Sequence, residues 1–185
     1  MRSGLSKPLW ITYVGEKLME RPDWTTYFFN ILEVISTRST CNRRQLGALI
    51  VKNKQIISTG YNGQLSGAQH CNDLGDCLRT KMNIPSGERD EICRAVHAEQ
   101  NAISQAARYG LSLEGAIMFI TNTPCVICAK IIAASGIKEI YVNKADYPAK
   151  LSMELLAEID LPVYLVNNTG IVRINLPESN WRDMI

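Results

Sequence analysis

Histidine is scarce in this 185-residue chain, which holds only His70 and His97. A catalytic zinc carried by three histidines is therefore excluded, as is a finger built from two cysteines and two histidines at ordinary spacing. Long hydrophobic runs are missing as well. No stretch approaches the roughly eighteen consecutive apolar residues of a membrane-crossing helix, so no membrane partner is expected. Neither sign of charge dominates: 20 Lys+Arg stand against 18 Asp+Glu, a formal net charge of +2. That is no bulk signature of polyanion binding, and no nucleic-acid partner is expected, although local basic clusters remain open. The chain shows no internal repeat and no low-complexity tract. Its first residues, as far as Asp23, hold no sustained apolar block before a small-residue cleavage site. No secretory signal is expected, and the chain is read as soluble and cytoplasmic.

What is present suits one globular domain: 46% apolar residues to build a core and an ordinary 21% charged. Six cysteines (Cys41, Cys71, Cys77, Cys93, Cys125 and Cys128) in a chain of that compartment are not expected to be disulfides. They read as metal ligands, redox thiols or small buried hydrophobes. With so little histidine, any metal must lean on sulfur.

Trp24, Tyr27, Phe28, Ile31, Leu32 and Ile35 recur at three- and four-residue steps after Pro22, which predicts a helix over 22–37. Apolar runs 46–51 and 55–60 around Lys52-Asn53-Lys54 predict a hairpin. Residues 61–92, rich in Gly, Asn, Asp and Cys without periodicity, are too long for an idle loop, so they are functional or held by something. Further on, a helix is expected over about 96–109 and ended by Gly110, and another over 125–135 ended by Gly136. Strands are expected at 116–121, 138–143 and 162–166, with a helix at 151–159. Strand and helix alternate in this half, which argues an α/β sheet, parallel at least in part and covered by helices.

The chemistry concentrates in His97-Ala98-Glu99 and Pro124-Cys125-Val126-Ile127-Cys128, each opening a helix. Cys125 and Cys128, three residues apart, share a helix face and can converge on one ion. A helix N-terminus favours negative charge and so favours the thiolates that zinc takes. His97 supplies a third ligand from the neighbouring helix, which leaves a fourth position for water, as in a catalytic zinc site. Glu99, two residues from His97, diverges from it and reads as the general acid–base beside the metal. A lone Cys-x-x-Cys is weak, since six cysteines placed at random give about 0.16 such pairs. The rival readings are a redox pair, a structural zinc site, and a solvated glutamate near a core histidine. The redox reading is the strongest of these and leaves His97 and Glu99 unexplained. His-x-Glu followed by Pro-Cys-x-x-Cys is an established signature of zinc-dependent nucleobase deaminases.

The chain resembles the deoxycytidylate (dCMP) deaminases of the cytidine deaminase superfamily over about residues 23–166. The resemblance rests on Thr40-Cys41-Asn42-Arg43-Arg44-Gln45-Leu46-Gly47-Ala48, Ser58-Thr59-Gly60-Tyr61-Asn62-Gly63 and Gly67-Ala68-Gln69-His70-Cys71. It continues through His97-Ala98-Glu99-Gln100-Asn101-Ala102-Ile103, Pro124-Cys125-Val126-Ile127-Cys128-Ala129-Lys130 and Ser135-Gly136-Ile137-Lys138. It implies a three-layer fold with a central mixed sheet of about five strands, occupying residues 23–170 between an N-terminal extension (1–22) and a C-terminal tail (171–185). The implied reaction is dCMP plus water to dUMP plus ammonia, in pyrimidine deoxynucleotide supply. Asn62, Gly63, Ala98, Thr123 and Pro124 become substrate contacts. Arg43, Arg44, Arg94 and Arg108 are candidates for the phosphate, with Arg108 favoured and Tyr147 as a hydroxyl donor.

The four remaining cysteines, Cys41, Cys71, Cys77 and Cys93, suit a second, structural zinc that would order residues 61–92, with His70 able to replace Cys71. By resemblance alone, a homohexamer activated by dCTP with Mg2+ and inhibited by dTTP is expected. Effector contacts would then fall at Lys52, Asn53, Gly60, Gly63 and Gly67. The alternatives are a deaminase of another base or of nucleic acid, which would need a basic, aromatic surface, and a structural zinc module, which would not need Glu99.

Overall fold

The computed structural model describes residues 21–175; the expectations for residues 1–20 and 176–185 lie outside the described residues. The first helix, α1 (Trp24–Ser36), is capped by Asp23, whose Oδ1 accepts from the backbone N–H groups of Thr25 at 2.8 Å and Thr26 at 3.0 Å. Strands β1 (Gly47–Lys52) and β2 (Gln55–Tyr61) form the expected hairpin. Its turn holds Asn53 at φ 51° and Lys54 at φ 62°, two left-handed residues whose twist matches that of paired strands.

The sheet has six strands in the order β2-β1-β3-β4-β5-β6. Here β3 is Ile117–Ile120, β4 Glu139–Val142, β5 Val163–Asn167 and β6 Gly170–Arg173. Strands β3, β4 and β5 run parallel, and the remaining pairings are antiparallel. The mixed α/β sheet is as expected, with one strand more than the expected five or so. The extra strand, β6, is four residues long and exposed along most of its length, so it carries no buried alternation for a sequence pattern to register.

Helices α3 (Ala98–Arg108), α4 (Val126–Ala134) and α5 (Lys150–Glu158) cover one face, and α1 covers part of the other. Strand β1 alternates between the two layers. Ala48 and Ile50 join the core under α3–α5, while Leu49 and Val51 meet Phe28, Phe29 and Leu32 of α1. Burying each of these large side chains contributes about 1.5–3 kcal/mol. Helix α3 lies unusually close to β2 because the facing residues are small. A Cβ on Gly60 would stand 2.1 Å from the Ala98 carbonyl oxygen and 2.5 Å from the Ala102 nitrogen. Gln105 Oε1 accepts from Thr59 N–H at 2.8 Å and Asn101 Nδ2 donates to the Tyr61 carbonyl at 2.8 Å, so α3 also occupies the outer edge of β2.

Residues 61–92 contain one short helix, α2 (Leu78–Lys81), and a 3-10 turn at Asp90–Ile92. A buried cation organises the segment. Arg79 Nη1 donates to Asp90 Oδ1 at 2.7 Å, and its Nη2 donates to the carbonyls of Pro85 at 2.9 Å and Glu88.

Candidate metal and active site

His97 and Cys125 stand at the N-caps of α3 and α4, and Cys128 lies one turn into α4. His97 Nδ1 is 3.4 Å from Cys125 Sγ and 3.4 Å from Cys128 Sγ. Among the described residues this is the one group of three metal-competent side chains whose ligand atoms all lie within 4.8 Å of one another. Two sulfurs and one imidazole nitrogen, buried or half-buried, are a donor set that fits zinc. Glu99 is not in that set. It is 8% exposed and lines a cavity of about 40 Å3 with His97, Cys125, Thr123 and Tyr147, enough for a water.

The groups bias one another strongly. Hydrogen bonding from Cys128, against burial and with help from His97, pulls the Cys125 thiol down to about 5. Cys128 is pushed up by Cys125, by burial and by Glu99. His97 is raised to about 11, first by Cys125 and then by Cys93. Burial raises the Glu99 carboxyl, an effect that His97 opposes. A carboxyl poised upward in a closed pocket suits proton transfer.

The Gly60–Gly63 segment acts as a buckle on the cavity walls. Asn62, 5% exposed, has both ends of its amide committed to the chain: Oδ1 accepts from Leu46 N–H at 2.9 Å and Nδ2 donates to the Arg44 carbonyl at 2.9 Å. Gly63 exchanges backbone hydrogen bonds with Val96, at 3.1 and 2.8 Å, just before His97. Leu46 and Arg44 line the cavity, while Asn62 and Gly63 stand behind it. Of the other expected substrate contacts, Thr123 and Tyr147 line the cavity, and Ala98 and Pro124 are buried beside the ligands. The Tyr147 hydroxyl donates its single proton to Asp90 Oδ2, so its ring position is set from the 61–92 segment through Asp90 and Arg79. Its phenol is held protonated by burial and by Asp90.

Arg108 is elsewhere. It lines a wide groove of about 880 Å3 with Gly60, Gly63, Gly67 and His70. Lys52 and Asn53 line a separate depression of about 330 Å3 near Trp24 and Phe28, so the expected effector residues divide between two places. Of the other arginines, Arg43 donates to the Ile84 carbonyl at 3.3 Å, Arg94 is exposed, and Arg44 lines the cavity. Sequence reasoning missed Arg79, Asp90, Asn122 and Asp146. Asp90 and Tyr147 are far apart along the chain and share no motif, so no local signal could have joined them. Cys41, Cys71, Cys77 and Cys93, expected to hold a second zinc, are not gathered as a set: no three of their sulfurs lie within 4.8 Å of one another, and Cys93 hydrogen-bonds His97 instead. Burial raises the Cys71 thiol, Gln64 Nε2 at 3.2 Å lowers it, and Cys41, Cys77 and Cys93 raise it further.

Comparison with known proteins agrees with this geometry. The family model for the cytidine and deoxycytidylate deaminase zinc-binding region matches residues 22–144. ComE operon protein 2 of Bacillus subtilis is 41% identical over 123 residues, 66% of this chain, and the chain spans 60% of that protein's length. A deoxycytidylate deaminase of Mycobacterium phage D29 is 39% identical over 131 residues, covering 68% of this chain and 98% of the phage protein. The crystal structure of dCMP deaminase from cyanophage S-TIM5 with dCMP and dUMP superposes with a TM-score of 0.63 at 28% identity, covering 78% of this chain and 97% of the other.

Proposed function

Because this chain belongs to the cytidine and deoxycytidylate deaminase family, we propose that it hydrolyses dCMP to dUMP and ammonia, with Glu99 as the proton carrier. The observation that carries the reading is Glu99 itself: a buried carboxyl on the wall of the cavity that holds His97 and Cys125, yet outside the metal-donor set. His97, Cys125 and Cys128 would hold the zinc. Bound there, zinc would act as a Lewis acid that lowers the pKa of water toward about 7. Glu99 accepts a proton from the attacking water and delivers it to N3 of the cytosine, which makes C4 electrophilic. A second proton passes through Glu99 to the exocyclic nitrogen. The C4–O bond forms, the C4–N bond breaks, and ammonia departs. Thr121, Asn122 and Thr123 wall the pocket, and Tyr147, held by Asp90, closes it.

The deoxycytidylate deaminases among the relatives support dCMP as substrate. The near-balanced charge supports a free nucleotide over nucleic acid, and no described helix is long and apolar enough to cross a membrane. A second zinc on Cys41, Cys71, Cys77 and Cys93 rests on their thiol chemistry alone, since no three of their sulfurs lie within 4.8 Å of one another. Regulation by dCTP with Mg2+ and by dTTP would fall in the groove of Gly60, Gly63 and Gly67, within a cytoplasmic homohexamer. The test is ammonia release from dCMP, dCTP, cytidine and a cytosine-containing oligonucleotide. dCMP should turn over fastest, and Glu99→Gln should lose at least about a thousandfold in kcat while keeping its zinc. Near-normal turnover by that variant overturns the mechanism, and an unchanged hyperbolic dCMP curve with dCTP overturns the activation.

A further inference from the structure

The catalytic cavity does not end at Glu99. It shares Arg44, Leu46, Thr121 and Asn122 with a second chamber of about 550 Å3 that also holds Lys144 and Asp146. This chamber lies just past the carboxyl ends of the parallel strands β3 and β4, where open α/β sheets receive ligands. Among the described residues, Arg44 is the only lysine or arginine that lines both spaces.

Arg44 is unusually well placed for such a position. Asn62 fixes its carbonyl from behind, and its guanidinium stands 6.0 Å from the centre of the Tyr147 ring. Nη1 donates to Asp146 Oδ1 at 3.1 Å. The other guanidinium N–H groups make no protein hydrogen bond among the described residues, in a side chain built to grip phosphate oxygens in pairs. Asp146 is anchored from its other side by Asn122 Nδ2, yet its side chain is 66% exposed, and an exposed ion pair is a weak one. Glu33 and Asp146 balance Arg44 and Lys144 in the chamber. It is therefore no general sink for anions; a ligand must bring its own reason to stay, such as a base seated in the cavity.

Resting on the deaminase reading above, we infer that Arg44 receives the terminal phosphomonoester of the substrate, and that Asp146 holds Arg44 in place until that phosphate displaces it. Arg44 thereby separates nucleotide from nucleoside. A phosphomonoester offers a nearly doubled charge and three acceptor oxygens, against the single carboxylate it replaces. A phosphodiester within a strand offers less of both.

The test titrates the intact protein calorimetrically with dUMP, deoxyuridine, inorganic phosphate and a deoxyuridine-containing oligonucleotide, beside kinetics on dCMP and deoxycytidine. The wild-type protein should prefer dUMP to deoxyuridine at least thirtyfold and bind inorganic phosphate weakly. Arg44→Gln should cut that preference below threefold by weakening dUMP, with Arg44→Lys intermediate. Asp146→Asn should bind dUMP several-fold tighter. Retention of the full preference by Arg44→Gln, no preference in the wild type, or equally tight binding of the oligonucleotide overturns the proposal; weaker dUMP binding by Asp146→Asn overturns the role of Asp146. Absence of ammonia release from either substrate would instead refute the deaminase reading, and the binding preferences would still decide the role of Arg44.

Discussion

Asn62→Ala separates two roles that the Gly-Tyr-Asn-Gly segment could have. If Asn62 were a ligand contact, its loss would lower affinity and leave the fold alone. The structure instead commits both ends of the amide to the chain, at 2.9 Å to Leu46 N–H and 2.9 Å to the Arg44 carbonyl. The Arg44 carbonyl keeps a second donor, Ser39 Oγ at 3.4 Å, so the group left without a partner is the Leu46 N–H. An unsatisfied part-buried donor costs about 1–3 kcal/mol. At about 2–4 °C per kcal/mol for a chain of this length, the midpoint of thermal unfolding should fall by about 2–12 °C. Because Arg44 and Leu46 wall the cavity, KM for dCMP should rise in the same variant. Asn62→Asp keeps the acceptor for Leu46 but sets a carboxylate oxygen against the Arg44 carbonyl, so it should be at least as damaging. Differential scanning calorimetry beside steady-state kinetics decides the matter. An unchanged melting midpoint together with a large loss of kcat/KM would refute the reasoning.

Three further outcomes are expected. Gly60→Ala forces a Cβ to within 2.1 Å of the Ala98 carbonyl oxygen; overpacking against backbone should destabilise by about 3 kcal/mol or more, read as a lower urea midpoint, and a midpoint within error of wild type would contradict the close packing of α3 on β2. Asp90→Asn leaves the Arg79 charge without its partner in a pair whose side chains are each only 10% exposed, so about 3 kcal/mol of stability should be lost and KM for dCMP should rise through Tyr147; unaltered stability and KM would show that the pair does not hold the site. Metal analysis should find two zinc ions per chain in the active protein and one in Cys128→Ser, which should be inactive; one zinc per chain in fully active wild type would remove the second metal.

The meeting of His97, Cys125 and Cys128 was legible in the sequence because its parts are local. Helix starts at His97 and Cys125, a three-residue cysteine spacing and a glutamate two residues from the histidine each follow from short-range geometry, and burial of the flanking strands brings the two helix ends together. The sheet was legible for the same reason, except β6, whose residues face outward and carry no pattern. Asn62 was recognised as important, but whether its amide faces a ligand or the chain depends on what stands opposite, and Arg44 and Leu46 stand opposite only after β1 and β2 pair. The choice among four arginines was equally beyond the sequence: guanidinium chemistry is identical in all of them, and only the packing sends Arg108 to one groove, Arg43 to the Ile84 carbonyl and Arg44 to the mouth of the cavity. Residue type and spacing thus determined what chemistry this chain carries, while distances between residues remote along the chain, such as Asp90 and Tyr147, were decided by the tertiary structure, because only long-range packing of the sheet and its helices fixes which side chains meet.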